Sequence, residues 1–175
     1  MTKLRACIVA VGSEMLTPFR VDTNSLVITE RLNAIGCDVR LKVVVGDSVD
    51  ELARVLTAAL DSVDLIVCTG GLGPTADDIT RDALTRVLGM PLEIDEASVE
   101  HIRARFARRG IPMPDINRRQ AMVPDGGVVL ANVSGTAPGL SSTSRCWESR
   151  LNILSMSSRD CLISRYTMPR KLSGI

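Results

Sequence analysis

The segment Thr69-Gly70-Gly71-Leu72-Gly73-Pro74-Thr75-Ala76-Asp77-Asp78 combines the two residue types that metal-assisted anion chemistry requires, glycines and carboxylates. It follows the apolar, β-branched run Leu65-Ile66-Val67-Cys68 and precedes an amphipathic helical pattern, so it reads as the turn between a buried strand and a helix. Glycines let backbone N–H groups close on a phosphate, and the helix dipole favours negative charge at that end. Asp77 and Asp78 would repel a bare phosphate, but they fit if a divalent cation lies between them and the ligand. As plain helix-start acids they would need no ligand at all. The cluster points to a nucleotide-like or pyrophosphate-bearing ligand taken with a metal.

Two further acids follow strand-like runs. Glu14 lies in Gly12-Ser13-Glu14-Met15-Leu16, directly after Ala6–Val11, and Asp47 lies in Val45-Gly46-Asp47-Ser48. In a parallel sheet, ligands sit beyond the carboxyl ends of the strands where the strand order reverses, so Glu14 and the 69–78 loop can face one crevice. Glu14 reads equally well as an ordinary loop residue, and Asp47 as an acid favoured by a following helix. Other chemistries are disfavoured. The loop is neither G-x-x-x-x-G-K-[ST] nor G-x-G-x-x-G. His101 is the single histidine, which argues against a Ser-His-Asp or Cys-His nucleophile. Catalysis, where present, falls to carboxylates and a metal.

These residues need a scaffold of alternating strands and helices. The sequence predicts a strand over 6–11 and a helix from about Thr23 to Ala34 with Ile28, Leu32 and Ile35 inward and Gly36 just beyond it. It predicts a strand over 39–45, then a capping box of Ser48 and Glu51 opening a helix through Leu60. A strand at 65–69, a helix through Ile79, Ala83, Leu84, Val87 and Leu88 ending at Gly89, and a helix over 95–109 follow. That last helix carries Arg103, Arg105, Arg108 and Arg109 on a face read as solvated. The segment 117–124 leads to a short apolar run, 128–131, and a loop, 132–140. The pattern implies an α/β fold with a mostly parallel sheet covered on both faces.

The bulk numbers set bounds. The 175 residues carry a net charge of +1, which gives no electrostatic case for nucleic acid or an acidic membrane surface. Aromatic residues are only 2 %, too few for a stacking platform for single strands. The five cysteines form no C-x-x-C pair and read as buried reduced thiols. No apolar stretch approaches the roughly 18 residues of a membrane span, and no signal peptide is visible, so the expectation is a cytoplasmic protein.

Composition breaks after Leu140. Residues 141–175 hold nine serines, six Lys/Arg and two acids, with neither alternation nor sustained helical periodicity. They are expected to form an atypical, frame-shifted or disordered tail behind an incomplete domain over 1–140.

In order and spacing, Gly12-Ser13-Glu14-Met15-Leu16, Thr23-Asn24, Val45-Gly46-Asp47, the Thr69–Asp78 loop, Asn117-Arg118-Gln120 with Pro124, and Asn132…Gly135-Thr136-Ala137-Pro138-Gly139 resemble the N-terminal domain of the CinA (competence/damage-inducible protein A) family. That domain is similar to the MoaB/MogA molybdopterin-binding proteins. The resemblance covers about residues 4–140 and implies a three-layer α/β/α sandwich, a homo-oligomer and a divalent-metal-dependent ADP-ribose pyrophosphatase, the metal being of the Mg, Mn or Co class. It implies, as an alternative, molybdopterin binding or adenylyl transfer in molybdenum cofactor synthesis; a non-catalytic ligand-sensing domain is a third reading. By this resemblance Gly70, Gly71 and Gly73, with Gly12, Thr69 and Thr75 beside them, would bind the ligand's phosphates. Asp47 and Asp78 would act in catalysis, Asp77 and Asp78 would hold the metal, Glu14 and Asn24 would line the crevice, and Pro138-Gly139 would close its rim. Relatives often carry a C-terminal deamidase domain, which is expected to be missing here, so its activity is not transferred. The family continues past Leu140 with an apolar strand and a Pro-Gly-Pro-Pro loop, from which this sequence departs.

Overall fold

The computed structural model describes residues 3–132, 135–146 and 149–156. Its centre is a sheet of six strands in the order β2-β1-β3-β8-β7-β6. Strand β1 (Arg5–Val11) runs parallel to β2 (Asp38–Val45) on one side and to β3 (Leu65–Thr69) on the other. Because β1 is central and fully covered, alternate residues face opposite layers. Cys7, Val9 and Val11 pack with Leu52 and Leu56 of α2 (Val49–Leu60) and with Ala83 and Leu84 of α3 (Thr80–Leu88). Ala6 and Ile8 pack with Ile28 and Leu32 of α1 (Thr23–Ala34) on the other face. This two-sided burial is why β1 and β3 read as unbroken apolar runs. The result is the expected three-layer α/β/α sandwich.

Local chemistry sets the helix ends. The Asp22 side chain accepts from the Ser25 backbone N–H and opens α1, and Ser48 Oγ accepts from Glu51 N and opens α2. The second half of the predicted box does not form, because Ser48 N donates to Gly46 O. Gly36 has φ 79° just past α1, as a C′ glycine should. Ile35, expected to face inward, is half exposed because α1 ends before it. Asp95 caps α4 (Glu96–Ala107), which packs Val99 and Ile102 against Ala121. A separate antiparallel pair, β4 (Leu92–Ile94) with β5 (Met122–Pro124), holds this corner together.

The end of the sheet corrects the reading of the tail. Strand β6 (Val128–Leu130) pairs antiparallel with β7 (Gly139–Cys146), which pairs antiparallel with β8 (Ser149–Met156). Strand β8 then lies parallel to β3, from Leu65 opposite Asn152 to Thr69 opposite Met156. The boundary expected at residue 140 therefore falls inside β7, and the strand expected to be missing is present. Ile153 packs on the α2/α3 face and Leu154 and Met156 on the α1 face, so three apolar residues suffice for a strand buried on both sides. Ladder bonds are made by backbone, so serine does not bar a segment that has a partner on each side. The expectations for residues 157–175 lie outside the described residues.

Candidate functional site

The crossover from β1 to β2 goes one way along the sheet and β3 returns to the other side of β1, so the order reverses between β1 and β3. A crevice opens beyond the carboxyl ends of strands at such a point. Three loops meet there: Gly12–Leu16 after β1, Gly46–Ser48 after β2, and Gly70–Asp78 after β3.

Side chains tie the loops together. Ser13 N donates to Asp47 Oδ2 at 3.0 Å, and Asp47 N donates to Ser13 Oγ at 2.9 Å. Asn24, in the first turn of α1, donates its Nδ2 to Thr69 Oγ1 at 3.2 Å across the gap between α1 and β3. Glu14 folds its carboxylate back over Gly12, where a Cβ would meet Oε1 at 2.8 Å. Gly12, Glu14, Asn24, Asp47, Thr69 and Gly70 thus belong to one region, although they come from four separate stretches of sequence.

The glycine loop is stitched to its own surroundings. Gly70 has φ 98°, and any side chain there would drive into the carbonyl oxygen of Val11. Thr80 Oγ1 donates to Gly70 O at 2.9 Å, and Thr80 N donates to Gly71 O at 3.1 Å, which folds the loop onto the start of α3. Asp78 is turned into the loop. Its Oδ1 accepts from Gly73 N at 2.7 Å, and its Oδ2 accepts from Thr75 N at 2.9 Å and Thr75 Oγ1 at 2.6 Å. The roles expected for Asp78, metal ligand and catalytic residue, meet a carboxylate whose two oxygens are already engaged in shaping the loop. Asp77 is exposed and, like the Glu14 carboxylate, takes no hydrogen bond among the described residues. Among those residues no group of three or more His, Cys, Asp or Glu side chains is placed to hold a metal.

Arg81 was not singled out by the sequence, and the structure makes it central to the loop. It is only 1 % exposed. Its Nη1 donates to Leu72 O at 2.7 Å, its Nη2 to Gln120 O at 2.7 Å and its Nε to Met122 O at 3.0 Å. Burial pushes the guanidinium down to about 10, with Asp78 and Asp82 acting in the opposite sense. This clamp explains the 117–124 segment, which backs the glycine loop. Asn117 Nδ2 donates to Gln120 Oε1 at 3.2 Å inside it, and Arg119 pairs with Asp82 of α3. The available signal was an arginine one turn after the glycine loop in a helix that buries its other side.

Pro138 and Gly139, expected at the crevice rim, are buried at the start of β7. Pro138 instead lines a cavity of about 310 Å³ with Asp95, Ser98, His101, Asn132 and Thr136, at the α4 side of the molecule.

A doubly wound sheet with loops tied together at its switch point defines an α/β domain of the class whose members place ligands beyond the carboxyl ends of their strands. The model of the family described as "Probable molybdopterin binding domain" matches residues 7–158. The chain is 48 % identical over 132 residues to a CinA-like protein of Acidobacterium capsulatum and, over the same length, 48 % identical to one of Koribacter versatilis. Each alignment covers 75 % of this chain and 32 % of the relative, so the chain spans about a third of the length of the curated relatives it matches. Among solved structures it is similar to CinA of unknown function from Thermoplasma acidophilum, with TM-score 0.76, 31 % identity and coverage of 90 % of this chain and 92 % of that one. It also shares its fold with MoaB from Thermus thermophilus at TM-score 0.61 and 22 % identity, covering 97 % and 94 % of the two chains. The chain belongs to the CinA family, within the molybdopterin-binding-type domains. Among the described residues no helix is long and apolar enough to cross a membrane.

Proposed function

We propose that the crevice between the Gly12–Leu16 and Gly70–Asp78 loops binds a nucleotide carrying a pyrophosphate linkage, ADP-ribose or a relative, and hydrolyses it with a divalent cation. The observation that carries this reading is the tie between loops. The Ser13–Asp47 exchange and the Asn24–Thr69 bond draw the ends of β1, β2 and β3 onto one small volume, with Glu14 and Asp47 within it. A magnesium-class ion commonly takes only one or two protein carboxylates and fills its shell with water and ligand phosphate, and Glu14, Asp77 or the second oxygen of Asp47 would each supply one such ligand. Bound there, the cation would supply charge neutralisation at the phosphates. The chain's own part is positioning. Asn24 and Thr69 present polar groups to the ligand, and the glycine loop gives it a wall of fixed shape.

A second reading, binding of molybdopterin or adenylyl transfer to it, draws support from the family model that matches the chain. Incubation with ADP-ribose, and separately with molybdopterin plus ATP, across Mg, Mn and Co separates the two. Cleavage of ADP-ribose to AMP and ribose 5-phosphate that disappears in Glu14→Gln and Asp77→Asn supports the first. Binding of either ligand without turnover under every metal would sink the hydrolase reading and leave a sensing domain.

A further inference from the structure

Three donors of the glycine loop already close on an acceptor, and that acceptor is part of the same chain. The Gly73 and Thr75 amides and the Thr75 hydroxyl surround both oxygens of Asp78, at 2.6 to 2.9 Å. The third glycine is shaped to this group. A Cβ on Gly73 would come within 2.7 Å of Asp78 Cγ, so the space left by the missing side chain is filled by the carboxylate. Hydrogen bonds to an ionised acceptor are roughly twice as strong as neutral ones. The loop's back is held separately by Arg81, through Leu72 O.

We propose that Asp78 is the resident anion of the glycine loop. It holds the donors that a phosphate would otherwise take, fixes the loop before any ligand arrives, and keeps ligand phosphate away from Gly73–Thr75. An ionised carboxylate accepts on both oxygens, as a phosphate does, so the two are interchangeable occupants of a cradle lined only by donors. Removing the carboxylate leaves an anion site. Asparagine does not reproduce the occupant, because its Nδ2 brings a donor against the donors of Gly73 or Thr75, yet it still fills the space. The proposal bears on the nucleotide reading only in where ligand phosphate can sit, and the occupancy itself does not depend on that reading.

The probe is inorganic phosphate, with acetate as a second anion, added to the whole chain without metal. Amide shifts of Gly73 and Thr75 and the thermal midpoint are followed in wild type, Asp78→Ala and Asp78→Asn. Asp78→Ala is expected to lose stability and regain it with either anion, its two amides saturating at phosphate concentrations roughly ten-fold or more below any response of wild type. Asp78→Asn is expected to be destabilised and unrescued. The proposal is overturned if wild-type Gly73 and Thr75 amides take phosphate as readily as those of Asp78→Ala. It is equally overturned if no anion restores Asp78→Ala, whether that variant is folded or not. A failure to bind ADP-ribose would count against the nucleotide reading and leave this result standing.

Discussion

Ser13 and Asp47 exchange two hydrogen bonds, each giving a backbone N–H to the other's side chain, at 3.0 and 2.9 Å. The pair joins the loops after two neighbouring strands, so the positions of Glu14 and Asp47 are set by one another. Both partners are exposed, and the global stability at stake is small, about 0.5–1.5 kcal/mol per bond. Ligand binding is expected to suffer more. Asp47→Ala should leave the thermal midpoint nearly unchanged and weaken ADP-ribose binding roughly ten-fold, and Ser13→Ala should do less: each loses one of the two bonds, but Asp47→Ala loses the one accepted by a carboxylate and removes that carboxylate from the crevice. In a double-mutant cycle by calorimetry, strictly additive effects would contradict the coupling.

Arg81 should behave in the opposite way. Its substitution by Met strands the buried carbonyls of Leu72 and Gln120 and the half-buried one of Met122, and the expected cost is about 3 kcal/mol or more in urea unfolding. Arg81→Lys keeps a cation but cannot reach three acceptors on two segments with one ammonium, so it should recover only part of the loss. A neutral outcome for Arg81→Met would show that the clamp contributes nothing net.

The thiols predict an alkaline limit. Burial pushes Cys7 up to about 11, Cys37 to about 11 with the charges of Asp64 and Asp38 adding, and Cys68 to about 12. In the unfolded chain a thiol ionises near ~8.5. Above that pH the native state binds more protons than the unfolded state, so this contribution is full below about 8.5 and is lost progressively as pH rises toward 11. The midpoint should fall over this window, and Cys7→Ala with Cys68→Ala should flatten the fall. In native protein at neutral pH, peptide mapping after alkylation should find Cys7, Cys37 and Cys68 unlabelled.

Strand β7 offers a site for stabilisation. The Ser142 hydroxyl is buried, with the residue only 4 % exposed, and has no hydrogen-bond partner. A buried hydroxyl without a partner costs about 1–3 kcal/mol, so Ser142→Ala should raise stability by about 1 kcal/mol, or roughly 2–4 °C in a chain of this size. A lower midpoint would mean that the hydroxyl is satisfied in solution.

The legible parts of this fold are those where one physical signal dominates. Strands β1 and β3 are covered on both faces, so their sequences are apolar without interruption, and Ser48 and Gly36 mark helix ends through local bonds. Strand β4 is three residues long, too short for any period to show. Strand β8 was hidden because only a brief apolar stretch at Leu151, Ile153 and Leu154, with Met156 after it, announces it, while its serines are tolerated by neighbours supplied from distant sequence. The glycine loop was legible as a loop, and its inward carboxylate was not: spacing does not tell whether Asp78 faces a ligand or the Gly73 amide. Arg81 was missed for a related reason. A charged residue on a helix reads as solvent-facing until the carbonyls it serves, 39 and 41 residues away, are brought to it by the fold.

The place of β8 has a consequence for how the molecule is made. In sheet order it separates β3 from β7, although 79 residues lie between the end of β3 and its own start. On the ribosome, the β2-β1-β3 half emerges first with one long edge of β3 bare, and that edge stays open to wrong partners until residues 149–156 arrive to zip it shut. The last described strand is thus the keystone of the sheet, set after the arch on either side has been raised.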